Sequence, residues 1–373
     1  MTQIENLKLK FLTFNLGGTE SEEWATIFGT IDWKNLFTND NTIWNDNTIW
    51  IICTQEDKRE SKFMKALRSN VFNEENYSYH TKTPKHVYLG TFHVHLSVFV
   101  PNILDYPMKH LKSIYHPSYN IPDNPLQNYL KNSIYHKSSV VINIGGVMRV
   151  VGSHLPFNPH DEANSTMRDK ALKEIVELTK SGNIPTFVLG DLNFRYINQK
   201  DQLTNFIINN KSNSFTITDI TEDIPFTCKT VKTTSDKCNN LFLSKENENG
   251  NGNGNNTGCY NKARSKSKCD RVLAILPKNY KICNGTAYPL LLPPINKSDH
   301  NAVLASCTLT ISTCNSQHDD KKSSGGGKQK VYVLGRDRIV TRVGKKYMVT
   351  YKSKKISLGE ARRIEREKKL IML

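Results

Sequence analysis

No apolar run in the 373 residues approaches the roughly 18 that a membrane-spanning helix needs. The longest apolar stretch, around Val140–Val151, is broken by Asn143, Gly145, Gly146 and Arg149. The opening residues, MTQIENLKLK, carry no apolar h-region and no small-residue cleavage site, so a secretory leader is not expected. Cysteine is sparse and unpatterned. Its eight positions (53, 228, 238, 259, 269, 283, 307 and 314) form no CxxC pair. That argues against a disulfide framework or structural zinc, and for a reducing compartment. Internal repeats are also missing. Together these absences lead us to expect a soluble cytoplasmic protein with no transmembrane segment.

Charge is present but uneven. The chain has 51 Lys+Arg against 35 Asp+Glu, a net of +16. Residues 328–369 alone hold 15 basic and 4 acidic side chains, a local +11, which leaves the preceding body nearly balanced. A basic tail of this kind is expected to contact an anionic membrane surface or nucleic acid. Fifteen Phe, 15 Tyr and 4 Trp provide enough apolar area for a substantial core.

Apolar, β-branched or alternating segments predict strands at Leu7–Phe14, Thr48–Cys53, His95–Val100, Ser139–Ile144, Met148–Gly152, Pro185–Leu189, Arg271–Leu276 and Ala302–Ile311. Leu172, Ile175 and Leu178 recur at helical spacing, which predicts a helix over Ser165–Lys180 with Gly182 just past its end. Strands outnumber helices in an irregular order, which favours an α+β or layered fold over a doubly wound sheet. The Gly/Asn-rich stretch 245–258 reads as a disordered insert, and 314–330 as a flexible linker. Beyond the linker, VYVL, RIVTRV and KKYMVTY predict short strands, and 358–369 a short helix. The expected division is a catalytic domain over 1–313, a linker, and a small basic β/α module over 331–373.

Polar residues recur at the ends of the predicted strands. Asn15 follows KFLTF, Gln55 and Glu56 follow WIICT, His154 follows VVGS, and Asp191 and Asn193 follow TFVLG. Cys269–Asp270–Arg271 open one strand, and Ser298–Asp299–His300 precede the last. Any one of these is an ordinary loop residue. Six such features at strand ends would form one cleft lined with carboxylates, amides and imidazoles.

Asn15, Gln55–Glu56, SHL (153–155), GDLNFR (190–195), CDRVL (269–273) and SDHNAV (298–303) follow the order found in the endonuclease/exonuclease/phosphatase superfamily. The chain resembles that superfamily over roughly residues 8–312. The resemblance implies an α+β fold, the four-layer αββα sandwich of the deoxyribonuclease-I-like type, here with a small basic C-terminal appendage. FVLGDLNFR and CDRVL are similar to the two signatures of inositol polyphosphate 5-phosphatases. Tyr260 and Arg264 are similar to residues of the soluble type I enzymes. The resemblance thus implies magnesium-dependent hydrolysis of a phosphate monoester, the 5-phosphate of an inositol polyphosphate or phosphoinositide, by in-line attack of water.

Residue by residue, the resemblance implies Mg2+ at Glu56, Asn15 and Asp299, which offer hard oxygen ligands. Asp191, beside Asn193, would be the base or orienter of the attacking water. His300 would contact the scissile phosphate, with Asp270 fixing its tautomer and favouring its charged form. His154 would donate to a non-bridging oxygen or help position the phosphate. Arg195 has two readings, a signature residue at the substrate or a brace for its own loop. Lys229, Tyr260, Lys262, Arg264, Lys266 and Lys268 supply cations and an aromatic group for neighbouring phosphates. The chain departs from the pattern at Lys266 and Lys268, where Pro and an aromatic are usual, and at His136–Lys137–Ser138, where the family has Asn-Lys-Gly.

Two other functions remain open. One is a nucleic-acid phosphodiesterase on the same sandwich, and the other a non-catalytic binding protein acting through its tail. The tail resembles small basic C-terminal modules of large nucleocytoplasmic DNA viruses. With the Asn-rich insert, that suggests a viral or protist source.

Overall fold

The structure is a computed structural model that describes residues 6–17, 48–57, 62–70, 72, 77–83, 93–116, 137–157, 166–180, 182–197, 200–224, 227, 267–290, 298, 300–311 and four strands beyond residue 330. The chain divides into two compact units, Met1–Cys314 and Asn315–Leu373. The insert at 245–258, the linker at 314–330 and the helix expected at 358–369 lie outside the described residues.

The larger unit opens with β1 (Leu7–Asn15), β2 (Thr48–Asp57), α1 (Lys62–Asn70), β3 (Tyr77–Lys82), β4 (His93–Pro101) and β5 (Met108–Tyr115). Next come β6 (Ser138–Ile144), β7 (Met148–His154), α2 (Thr166–Lys180) and β8 (Thr186–Asp191). The two-residue strands β9 (Tyr196–Ile197) and β10 (Lys200–Asp201) lead into α3 (Gln202–Asn209). The unit closes with β11 (Phe215–Asp219), β12 (Asp270–Pro277), β13 (Tyr280–Leu290) and β14 (Ala302–Ile311).

Two six-stranded sheets result, in the orders β13-β14-β1-β2-β4-β3 and β11-β12-β8-β7-β6-β5. Each is mixed, with β1 parallel to β2 and β7 parallel to β8. Three separate hydrophobic clusters show how they stack. The largest joins the two sheets face to face, with Phe11 against Phe187 at 5.2 Å between ring centroids. A second packs Phe63, Met64 and Leu67 of α1 on the outside of the first sheet. The third packs Leu172 and Ile175 of α2, with Leu203 and Phe206 of α3, on the outside of the second. Three interfaces between four layers make an αββα sandwich.

Strict alternation builds these layers. On β1, Leu7, Leu9 and Phe11 lie between the sheets, while Leu12 and Phe14 lie on the helix side. On β2, Ile49, Ile51 and Cys53 face inward, and Trp50 and Ile52 outward. Because both faces are covered, these strands read as continuous apolar runs.

Cys53, Cys269 and Cys307 are buried thiols outside any disulfide. Cys283 is disulfide-bonded, its partner lying outside the described residues. That one bond departs from the expectation of a chain without disulfides. In the smaller unit β15 (Val331–Val333), β16 (Arg338–Val343), β17 (Lys346–Tyr351) and β18 (Lys354–Ser357) form one antiparallel sheet in sequence order.

Candidate active site at the rim of the sandwich

The alternation that fills the core also places the polar residues. Asn15 continues the inward series of Leu9 and Phe11, and Asp191 that of Phe187 and Leu189. His154 continues Val150 on β7, and Asp270 precedes Val272 and Ala274 on β12. β1, β7 and β8 end at this rim, whereas the antiparallel β6, β12 and β14 begin there. Four polar side chains thus meet between the sheets, none more than 3% exposed.

Asp191 is the hub. Its Oδ2 accepts from Asn15 Nδ2 at 2.9 Å and lies 3.3 Å from His154 Nε2 and 3.9 Å from His300 Nε2. Its Oδ1 accepts from the Asn193 backbone N–H at 3.1 Å. Burial opposes the charge on Asp191. The His154 hydrogen bond and the charges of His154, His300 and Lys137 outweigh it and hold the carboxyl well below the usual range.

On the other side of the hub, His300 Nδ1 pairs with Asp270 Oδ2 at 2.8 Å. Thr227 Oγ1 donates to the same oxygen at 2.8 Å and accepts from the Asp270 N–H at 3.2 Å. Burial would lower the His300 pKa, but Asp270 and then Asp191 raise it to about 9, so the ring is an imidazolium at neutral pH. Ser298 ties this strand to β1, its Oγ donating to the Asn15 carbonyl and accepting from the His300 N–H at 3.1 Å.

His154 differs. Burial and the Lys137 ammonium lower its pKa, against the pull of Asp191 and Glu56. Lys137 Nζ is hydrogen-bonded to its Nε2. Glu56 reaches the same nitrogen at 3.9 Å with its side chain 38% exposed. It gets there through a register break in β2 between Thr54 and Asp57 and a left-handed backbone, φ 50°. A regular strand would have turned Glu56 to the opposite face from Gln55.

Two arginines hold the GDLNFR loop. Asn193, at φ 55°, donates from Nδ2 to the Leu155 carbonyl at 2.9 Å. Its Oδ1 accepts from Arg195 Nη2 at 2.9 Å, and its carbonyl from Arg168 Nη1 at 2.9 Å. Arg168 lies over the Phe194 ring and Arg195 over Phe157. These Arg195 contacts are those of a brace for its own loop. Before this loop Gly190 adopts φ 147°, and a Cβ there would meet the Ser153 carbonyl oxygen at 1.8 Å. Only glycine lets β7 and β8 approach so closely just before His154 and Asp191.

Among the described residues the rim therefore gathers Asn15, Glu56, His154, Asp191, Asn193, Asp270 and His300. Asp299, Lys229, Tyr260, Lys262, Arg264 and Lys266 lie outside the described residues. Lys268 is buried, with Nζ donating to the Glu222 carbonyl at 2.9 Å. Lys137, Thr227 and Arg168 were not among the candidate site residues. Lys137 precedes β6, whose N-terminal end is the rim end, and it stands in His136–Lys137–Ser138, where the chain departs from the family pattern.

No protein-family model and no curated protein matches the chain. Among solved structures, the inositol polyphosphate 5-phosphatase domain of SPsynaptojanin, in complex with inositol (1,4)-bisphosphate and calcium ion, is similar over 83% of this chain and 86% of that one, with a TM-score of 0.52 and 15% identity. The larger unit has the deoxyribonuclease-I-like fold. D. rerio TDP2, complexed with single strand DNA product, is similar over 81% of this chain and 98% of that one at TM-score 0.46 and 14% identity. An endonuclease/exonuclease/phosphatase family protein from Bacteroides thetaiotaomicron is similar over 82% and 98%, at 0.44 and 12%. Neither adds to the assignment. In the deoxyribonuclease-I-like sandwich of this chain, the constellation stands at the rim where the two sheets meet.

Chemically, the rim can hold an anion against an imidazolium while a fixed carboxylate orients a neighbour. Glu56 and Asn15 offer oxygen donors that suit a hard divalent cation. Among the described residues no group of three or more His, Cys, Asp and Glu gathers as a metal cluster, and Asp299 is not among them.

Proposed function

We propose that the larger unit hydrolyses a phosphate monoester with the help of a divalent metal, and that its substrate is an inositol polyphosphate or phosphoinositide bearing a 5-phosphate. The observation that carries this reading is the pair of carboxylates separated by one imidazolium. Asp270 charges His300, and His300 in turn lies 3.9 Å from Asp191. A phosphoryl group beside His300 Nε2 meets a fixed positive charge, worth more in a dry rim than in water.

Asp191 is held so far below its ordinary pKa that it is a weak proton acceptor. Its part is to orient the attacking water, with Asn15 and Asn193 fixing the carboxylate on both oxygens. His154 helps position the phosphate, and Lys137 adds positive charge beside it. Glu56, Asn15 and Asp299 would hold magnesium, which supplies charge neutralisation at the phosphoryl oxygens. Lys229, Tyr260, Lys262 and Arg264 read the neighbouring phosphates. Cytoplasmic placement belongs to the same reading. The signatures GDLNFR and CDRVL support an inositide over a nucleic-acid substrate.

The test is phosphate release from inositol 1,4,5-trisphosphate, soluble phosphatidylinositol 4,5-bisphosphate and single-stranded or abasic DNA, each with magnesium or with chelator. Magnesium-dependent release from an inositide supports the reading. Cleavage of DNA with no inositide turnover overturns it.

A further inference from the structure

The two sheets end side by side at one flank of the sandwich, where β3 and β5 are their outermost strands and pack against each other. Register decides which side chains meet there. Ser78, His80 and Lys82 of β3 are opposite Val100, Val98 and Leu96 of β4, which fill the space between the sheets. Opposed residues of an antiparallel pair share a face, so these three belong to the inner face as well. By the same rule Met108, His110 and Ser113 of β5 share the inner face with Ile144, Ile142 and Val140 of β6. The space between the sheets is thus apolar at β4 and β6 and turns polar and basic one strand further out.

This seam has an unmet demand. His80 Nε2 is buried and has no hydrogen-bond partner among the described residues. A buried polar atom left in that state costs free energy that a ligand recovers. His80 also lines a cavity of about 220 Å³, with Ser78, Asp105, Tyr106 and Met108, so the seam has room beside this ring. His110 Nε2 is hydrogen-bonded to Ser113 Oγ at 3.2 Å. Burial and then the Lys82 ammonium lower the pKa of both rings, and His80 lowers that of His110 further. No carboxylate is among the groups acting on either ring. Asp105 stands at the far end of the cavity, before Met108, whereas Lys82 follows His80 toward the rim.

We propose that this seam binds a tetrahedral oxyanion, a phosphate or a phosphomonoester group, held by Lys82 with His80 and His110. An ammonium repels a metal ion, so two imidazoles beside it suit an anion instead. The anion offsets the repulsion among the three groups, and each ring takes up a proton to donate a charge-assisted hydrogen bond. The site is separate from the rim, whose imidazoles are His154 and His300, and does not depend on the reaction carried out there.

The experiment follows the ring C–H signals of the histidines by NMR, in the full-length chain with chelator. They are titrated against pH in inorganic sulfate and in chloride of equal ionic strength, since sulfate keeps its double charge throughout. His80→Gln and His110→Gln assign the two signals. Sulfate should raise both pKa values by at least about 1, Lys82→Gln should remove most of the rise, and His300→Ala should leave it intact. No rise beyond that in chloride would overturn the proposal, as would a rise kept in full by Lys82→Gln or lost in His300→Ala. Vesicles of phosphatidylcholine with phosphatidylinositol 4-phosphate then separate the two sources of the phosphoryl group. Co-sedimentation weakened about fivefold by Lys82→Gln identifies a lipid headgroup. Equal co-sedimentation, with the sulfate response retained, identifies a free anion.

Discussion

His300 owes its charge to one oxygen of Asp270, and the geometry leaves that oxygen doubly engaged, by the imidazole and by Thr227. Removing the carboxylate charge while keeping the shape isolates this effect. Asp270→Asn is expected to lower kcat by about 10²–10⁴-fold with little change in KM, because the lost charge acts on the developing phosphoryl transition state. A substrate titration comparing the two proteins reads this directly. A change confined to KM would place Asp270 in ground-state binding. At this scale the sequence showed the acidic and imidazole groups well, since each stands at a strand end. Lys137 was harder to see because it stands where the chain departs from the family pattern, and Arg168 because it lies in the first turn of α2 and reaches the GDLNFR loop only through the packing of helix on sheet.

Among elements, the close pass of β7 and β8 and the start of β12 do most to place the site. Gly190→Ala forces the Ser153 carbonyl away, and a cost of at least about 2 kcal/mol in stability is expected, with loss of turnover because His154 and Asp191 follow directly. Urea denaturation alongside an activity assay checks both effects.

Arg271 is buried, with Nη1 on Asp219 at 2.7 Å and Nη2 on Asp201. Arg271→Ala strands two largely buried carboxylates and should destabilise by about 3–5 kcal/mol, read as a shift in denaturation midpoint. A surface-like effect below about 0.5 kcal/mol would contradict this reading.

The predicted strands show why the sequence was readable at the centre of each sheet and not at its edges. All eight correspond to β1, β2, β4, β6, β7, β8, β12 and β14, the interior strands. The four longer strands missed, β3, β5, β11 and β13, are the outermost of the two sheets. An edge strand is covered less completely and carries polar residues and irregularities, such as the bulge between His110 and Lys112 in β5 and that between Cys283 and Thr286 in β13. The apolar signal fades there.

For the molecule as a whole, the two compact units suggest separable tasks. Truncation after Cys314 is expected to leave turnover of a soluble inositide within about twofold of the full chain, measured by phosphate release at saturating substrate. Collapse of turnover would show that the smaller unit completes the catalytic fold.

Acid sensitivity has a specific source in the larger unit. His116 is buried, hydrogen-bonded to Ser139 at 2.7 Å, and its pKa is pushed down to about 4 by burial and then by His154. Between its unfolded value of 6.5 and about 4, the unfolded chain takes up a proton that the folded chain refuses. Its contribution is therefore full above the unfolded value and falls with pH through this window, by about 3 kcal/mol. His116→Gln should flatten that loss when denaturation midpoints at neutral and acid pH are compared.

The central claim is that Asp191 and His300 belong to one hydrolytic site at the junction of the sheets. The most direct measurement is the rate of phosphate release from inositol 1,4,5-trisphosphate with magnesium by the intact chain, Asp191→Asn, His300→Ala and the double variant, each shown to be folded. The account predicts that either single change lowers the rate by about 10³-fold or more and that the double variant is little worse than the singles, as expected of groups acting as a unit. Turnover undiminished in either single variant would contradict it.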